Sequence, residues 1–128
     1  MAKSDKHKNI VAFDFFCGCG GTSRGFQNAG IDIVFALDID PDAKSTFTQN
    51  FPGTTFCDKS ITKLTASELQ PTIDKHKDSY KLFCGCSPCQ PFTKQNTESR
   101  KRDTRKSLLS QFGIIVEEFK PDFVFVEN

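Results

Sequence analysis

Apolar and polar positions follow two rhythms along the chain. Short runs rich in β-branched and aromatic residues, at 9–16, 32–37, 54–56, 80–84 and 122–126, predict strands. Between them lie stretches with helical spacing. A helix is predicted over 22–29, stopped by Gly30, and a second from Pro41 with Ala43, Phe47 and Phe51 on one face. A weaker helical pattern covers 66–73 and ends near His76. At 105–119 the residues Leu108, Phe112, Ile115, Val116 and Phe119 recur at helical spacing before Pro121. The segment 85–103 is polar, holds Pro88 and Pro91, shows no apolar period and reads as a long loop. Strands alternating with helices predict an α/β fold with a doubly wound parallel sheet, whose right-handed crossovers place every strand carboxyl end on one edge. Ligands of such sheets bind at that edge. The residues with chemical potential all follow strand ends: the cluster Gly18, Gly20 and Gly21, then Asp38, Asp58, a cysteine-rich loop and Glu127.

Composition narrows this picture only modestly. A chain of 128 residues suits one domain, here 9–128 behind a frayed basic terminus at 1–8. The 17 basic and 16 acidic residues nearly cancel, so any nucleic-acid contact must be local. No apolar run suits a bilayer or a signal peptide, which predicts no membrane partner and a cytoplasmic protein, or a nuclear one in a eukaryote. The six cysteines are then expected as thiols, metal ligands or a catalytic group rather than as a disulfide framework.

Glycines between a strand and a helix allow a tight turn and close approach of backbone to a ligand. The spacing departs from G-x-G-x-x-G, because position 23 is Ser, which disfavours NAD. Asp38, 20 residues after Gly18, stands where a carboxylate accepts both hydroxyls of a ribose. The alternative is that the glycines only turn the chain and Asp38 only caps the next helix. The loop Cys84-Gly85-Cys86-Ser87-Pro88-Cys89-Gln90-Pro91-Phe92 has three competing readings: a zinc or iron–sulfur site, inert buried thiols, or a nucleophile. Pro88 inside Cys86-x-x-Cys89 and the lack of a second ligand pair weigh against metal. The basic residues Lys94, Arg100, Lys101, Arg102 and Arg105 read either as a solvated loop or as phosphate contacts.

Taken together, Asp14-Phe15-Phe16-Cys17-Gly18-Cys19-Gly20-Gly21 with Ser23 and Gly25-Phe26, then Ser87-Pro88-Cys89-Gln90, then Glu127-Asn128, resemble the ordered motifs of the DNA cytosine-C5 methyltransferases. The resemblance implies the Rossmann-like fold of S-adenosylmethionine-dependent methyltransferases, with about five of its seven strands present. It implies S-adenosyl-L-methionine bound by Phe16, Gly18, Gly20, Gly21, Asp38, Ile39, Asp58 and Leu108, with Asp38 on the ribose and Asp58 on the adenine amine. Lys59 and Ser60 stand between Asp58 and Ile61, where the family usually has Ile directly after the Asp. It makes Cys89 the nucleophile at cytosine C6 and Glu127 the acid at N3, and places Gln90, Arg100 and Arg102 on DNA carrying a flipped cytosine. No metal is implied. The family's target-recognition region has no counterpart here. The chain is therefore expected to be a fragment, a truncated product or one subunit working with a second polypeptide, inactive alone, and to expose Phe123 and Phe125 at a sheet edge. A tRNA cytosine-C5 methyltransferase and a cysteine-based metal-binding module are the alternatives.

Overall fold

A computed structural model describes residues 7–87 and 98–127, with side chains at 7–87 and 107–127. Five parallel strands form one sheet in the order β3-β2-β1-β4-β5: β1 Ile10–Asp14, β2 Asp32–Leu37, β3 Thr55–Cys57, β4 Tyr80–Cys84 and β5 Phe123–Phe125. The helices are α1 Gly21–Asn28, α2 Pro41–Asn50, α3 Ala66–Lys75 and α4 Glu98–Phe119, with a 3-10 turn at Ile61–Lys63. This is the predicted doubly wound α/β arrangement. The chain builds β2 and β3 on one side of β1, then crosses to β4 and β5 on the other, so the topological switch falls between β1 and β4.

Alternate positions of the central strands feed two cores. On one face Val11, Phe13, Phe15, Phe35, Leu37 and Phe83 meet Leu69 of α3 and Phe112 and Ile115 of α4. On the other, Ala12, Ile33, Ala36 and Leu82 meet Phe47 of α2 and Phe51, with Phe26 of α1 at the margin. The rings of Phe13, Phe15, Phe35, Phe47 and Phe83 are fully buried, each contributing about 1.5–3 kcal/mol of apolar transfer. Phe15 lies 5.0 Å from Phe83 and 5.7 Å from Phe112, centroid to centroid, so the aromatic cluster reaches the carboxyl edge of the sheet.

Local chemistry sets the helix starts. Asp40 caps α2 by accepting from Asp42 N–H at 2.9 Å, with Pro41 in the first turn. At α3 the Glu68 side chain reaches back to the Thr65 N–H at 2.9 Å, as in a capping box.

Three expectations need correction. Helix α4 begins at Glu98, so 98–103 is helical rather than loop; that segment contains no Gly or Pro, includes the helix formers Glu98, Arg100, Lys101 and Arg102, and has no apolar residue to leave a periodic mark. Strand β1 ends at Asp14 instead of reaching position 16, because Gly18 and Gly20 with φ of 51° and 100° turn the chain. Strand β5, apolar enough to read as buried, exposes Phe123, Val124 and Phe125, since among the described strands it pairs with β4 alone. The edge exposure expected for Phe123 and Phe125 is thus present. No described helix is long and apolar enough to cross a membrane. Residues 1–6 of the terminus lie outside the described residues.

Candidate active site at the carboxyl edge of the sheet

The turn after β1 is bound directly to the end of β2. Gly18 N–H donates to Asp38 Oδ2 at 2.8 Å, and Asp40 N–H donates to Oδ1 at 2.9 Å. Each carboxylate oxygen keeps a lone pair for a further donor, which is what a vicinal diol offers. Cys17 N–H donates to Leu37 O at 3.1 Å and Asp38 N–H to Cys57 O at 3.2 Å, so β1, β2 and β3 are tied together at this edge. Gly20 is demanded twice over. Its φ is 100°, and a Cβ there would lie 2.6 Å from the Phe51 ring and 3.1 Å from that of Phe47. Gly20 also caps α1 without a side chain, and no acidic residue occupies the first turn, which leaves the helix N-terminus able to meet a ligand.

Below the turn lies a buried polar pair, both members of which belong to the glycine-turn motif but had no role assigned from it. Asp14 is 1% exposed and Ser23 fully buried, and the Ser23 hydroxyl donates to Asp14 Oδ2 at 2.7 Å. Burial pushes the Asp14 carboxyl up despite the Ser23 bond, and the Asp38 charge adds to the rise. Burial also pushes the Cys17 and Cys84 thiols up, with Asp14 adding to both, so neither is disposed to act as a thiolate. The i, i+9 spacing of Asp14 and Ser23 carries no periodic signal; only the fold brings them together.

The remaining expected cofactor residues divide. Ile39 is 68% exposed beside Asp38, free to cover a ligand. Phe16 and Leu108 are half-buried, and both pack against the core face beneath the edge. Asp58 is exposed and receives Lys44 Nζ at 2.8 Å, which holds its carboxyl below the ordinary value. Lys44 was not foreseen, being 14 residues away on α2.

Across the switch point, the cysteine loop leaves β4 beside the glycine turn. Phe15 N–H donates to Cys84 O at 3.0 Å, and Gly85 N–H donates to Phe125 O at 2.9 Å. Gly85 sits against Phe112, whose ring carbons would be 2.5 Å from any Cβ placed there. Cys84 and Phe125 are register partners, so the loop and exposed Glu127 leave adjacent strands at one edge. Cys89 and Gln90 lie outside the described residues; Arg100 and Arg102 fall within α4, their side chains outside the described set. Among the described residues, no three of His, Cys, Asp and Glu converge as metal ligands.

A glycine turn bound to a carboxylate at the carboxyl edge of a doubly wound sheet lies where ligands of such sheets bind. The chain belongs to the C-5 cytosine-specific DNA methylase family, which it matches over residues 10–128. It is 34% identical over 118 residues to a type II methylase of Herpetosiphon aurantiacus, M.HgiDII, covering 92% of this chain and 32% of that protein. Mouse DNA (cytosine-5)-methyltransferase 1 is 30% identical over 133 residues, covering 96% of this chain and 8% of its own length. A solved E. coli prophage structure described as a DNA modification methyltransferase superposes with a TM-score of 0.68 at 27% identity, over 93% of this chain and 31% of that one. The S. pombe Dnmt2 methyltransferase shares the fold, with a TM-score of 0.63 at 24% identity, over 93% of this chain and 35% of that one. The chain thus spans about a third or less of the length of these proteins.

Proposed function

We propose that this chain provides the cofactor site and the nucleophile of an enzyme that methylates C5 of cytosine in DNA. The observation that carries the reading is the bonded unit of glycine turn and Asp38, set across the switch point from the Cys84–Ser87 loop. S-adenosyl-L-methionine fits that unit: Asp38 offers two acceptor oxygens to ribose hydroxyls, Gly20 leaves no side chain in the way, and exposed Ile39 flanks the position. When bound, it supplies an electrophilic methyl group. Asp58, already paired with Lys44, has Oδ1 left for an adenine amine.

The chain's own residues set up the acceptor. Cytosine C5 is a weak nucleophile in the intact ring; attack by the Cys89 thiolate at C6 turns the ring into an enamine with electron density on C5. Glu127, protonated, donates at N3 as charge builds there. Once C5 is methylated, its proton leaves to a base, the C6–S bond breaks and Cys89 is regenerated. The cytosine must leave the stack for Cys89 to reach C6, and Gln90, Arg100 and Arg102 are assigned to DNA around it. Choice of target sequence is assigned to protein outside this chain, on the same polypeptide or a second one.

Trapping tests the reading. The chain, with the target-recognition part supplied, is incubated with 5-fluorocytosine DNA and S-adenosyl-L-methionine. A covalent adduct that Cys89→Ser abolishes is expected; no adduct, or one that survives the substitution, overturns the assignment. Equivalent RNA run in parallel discriminates the nucleic acid.

A further inference from the structure

The sulfurs of Cys84 and Cys86 stand 3.6 Å apart, in contact. Cys84 is fully buried at the end of β4, and Cys86 is half-exposed on the loop beyond it. The methyl transfer proposed above uses neither. Between them is Gly85, whose missing Cβ spares the backbone one obstacle to closing a small ring. Its N–H is bonded to Phe125 O at 2.9 Å, and its Cα lies against the Phe112 ring.

We propose that Cys84 and Cys86 form a redox-active dithiol, which closes to a disulfide on exchange with a low-molecular-weight disulfide such as glutathione disulfide. The half-exposed Cys86 thiolate attacks one glutathione sulfur, giving a mixed disulfide and one glutathione thiolate. The Cys84 sulfur, already in contact, then attacks the Cys86 sulfur, and the second glutathione leaves carrying the Cys84 proton. Two protein thiols are oxidised and one glutathione disulfide is reduced to two glutathiones. Burial keeps Cys84 protonated, so this second step is the slow one and quickens as pH rises. Drawing the sulfurs from 3.6 Å to bonding distance, about 2.05 Å, shifts the 85–86 backbone against Phe112 and Phe125. Any effect on methyl transfer rests on the reading of Cys89; the bridge itself does not.

The purified chain is equilibrated in glutathione buffers of rising disulfide fraction, quenched in acid, alkylated and mapped by mass spectrometry. A peptide that has lost two hydrogens, with Cys84 and Cys86 protected, no glutathione attached and full reversal by dithiothreitol, is expected. The bridge persists in Cys89→Ser and disappears in Cys86→Ser, whose thermal melting confirms that it folds. Glutathione retained on Cys86 beside a free Cys84, thiols alkylatable throughout the series, or a bridge lost in Cys89→Ser overturns the proposal. Hydrogen exchange of the Gly85 amide should accelerate on the order of tenfold in the bridged form; unchanged protection refutes the predicted shift at Phe112 and Phe125. Failure of the 5-fluorocytosine adduct leaves each of these readouts untouched.

Discussion

Gly85→Ala is the sharpest probe of how the fold presents the cysteine loop. The added methyl would lie 2.5 Å from two ring carbons of Phe112 and 2.7 Å from a third. Carbon atoms in good contact stand about 3.5–4.0 Å apart, so roughly 1 Å of clearance is missing. Phe112 is 2% exposed, and its ring is packed against Phe15, so it has little room to retreat. Overpacking of this kind costs about 1–3 kcal/mol. The other escape is for the loop to lift, which breaks the Gly85 N–H bond to Phe125 O and misplaces everything that follows. Urea denaturation of the chain should show a loss of about 1–3 kcal/mol, and adduct formation with 5-fluorocytosine DNA should fall further than stability explains. Phe112→Leu shrinks the obstructing ring. Combined with Gly85→Ala it should recover about 0.5–3 kcal/mol relative to the sum of the two single losses. Strict additivity in this double-mutant cycle would refute the packing argument.

Gly20→Ala meets both a φ of 100° and a ring carbon at 2.6 Å, so equilibrium denaturation should register a loss of at least about 2 kcal/mol. Asp38→Ala removes the acceptor assigned to the ribose, and calorimetry with S-adenosylhomocysteine should show affinity weakened about 10- to 100-fold; equal binding would sink the site. Burial raises the folded-state pKa of Asp14 above its ordinary 3.8, so its contribution is most favourable below that pH and declines as pH rises through the folded value. Asp14→Asn should therefore gain on the wild type in melting temperature as pH rises above 3.8, and a difference that stays constant with pH would contradict the assignment. Glu68 has the opposite sign: Lys59 and the Thr65 N–H depress it from 4.5 to about 2. Its stabilisation is complete above the unfolded value and lost as pH falls toward about 2, so the deficit of Glu68→Gln should vanish across that range.

The sequence by itself determined which elements form and in what order, because burial on a strand or helix face leaves a periodic mark. The α/β class and the alternation of strands and helices were legible in that mark, and the family was legible in motifs that keep their order. Periodicity records only what is buried locally. It stopped α4 short at 105, where the helix continues to Glu98 without an apolar stripe, and it rated β5 buried when its neighbours decide exposure. Tertiary structure alone decided the partners. Gly18 meets Asp38 because the crossover brings two strand ends to one edge, and Asp14 meets Ser23, Lys44 meets Asp58 and Gly85 meets Phe112 because helices pack back against those strand ends. Each of those contacts depends on three-dimensional closure, for which residue type and spacing carry no local energy term.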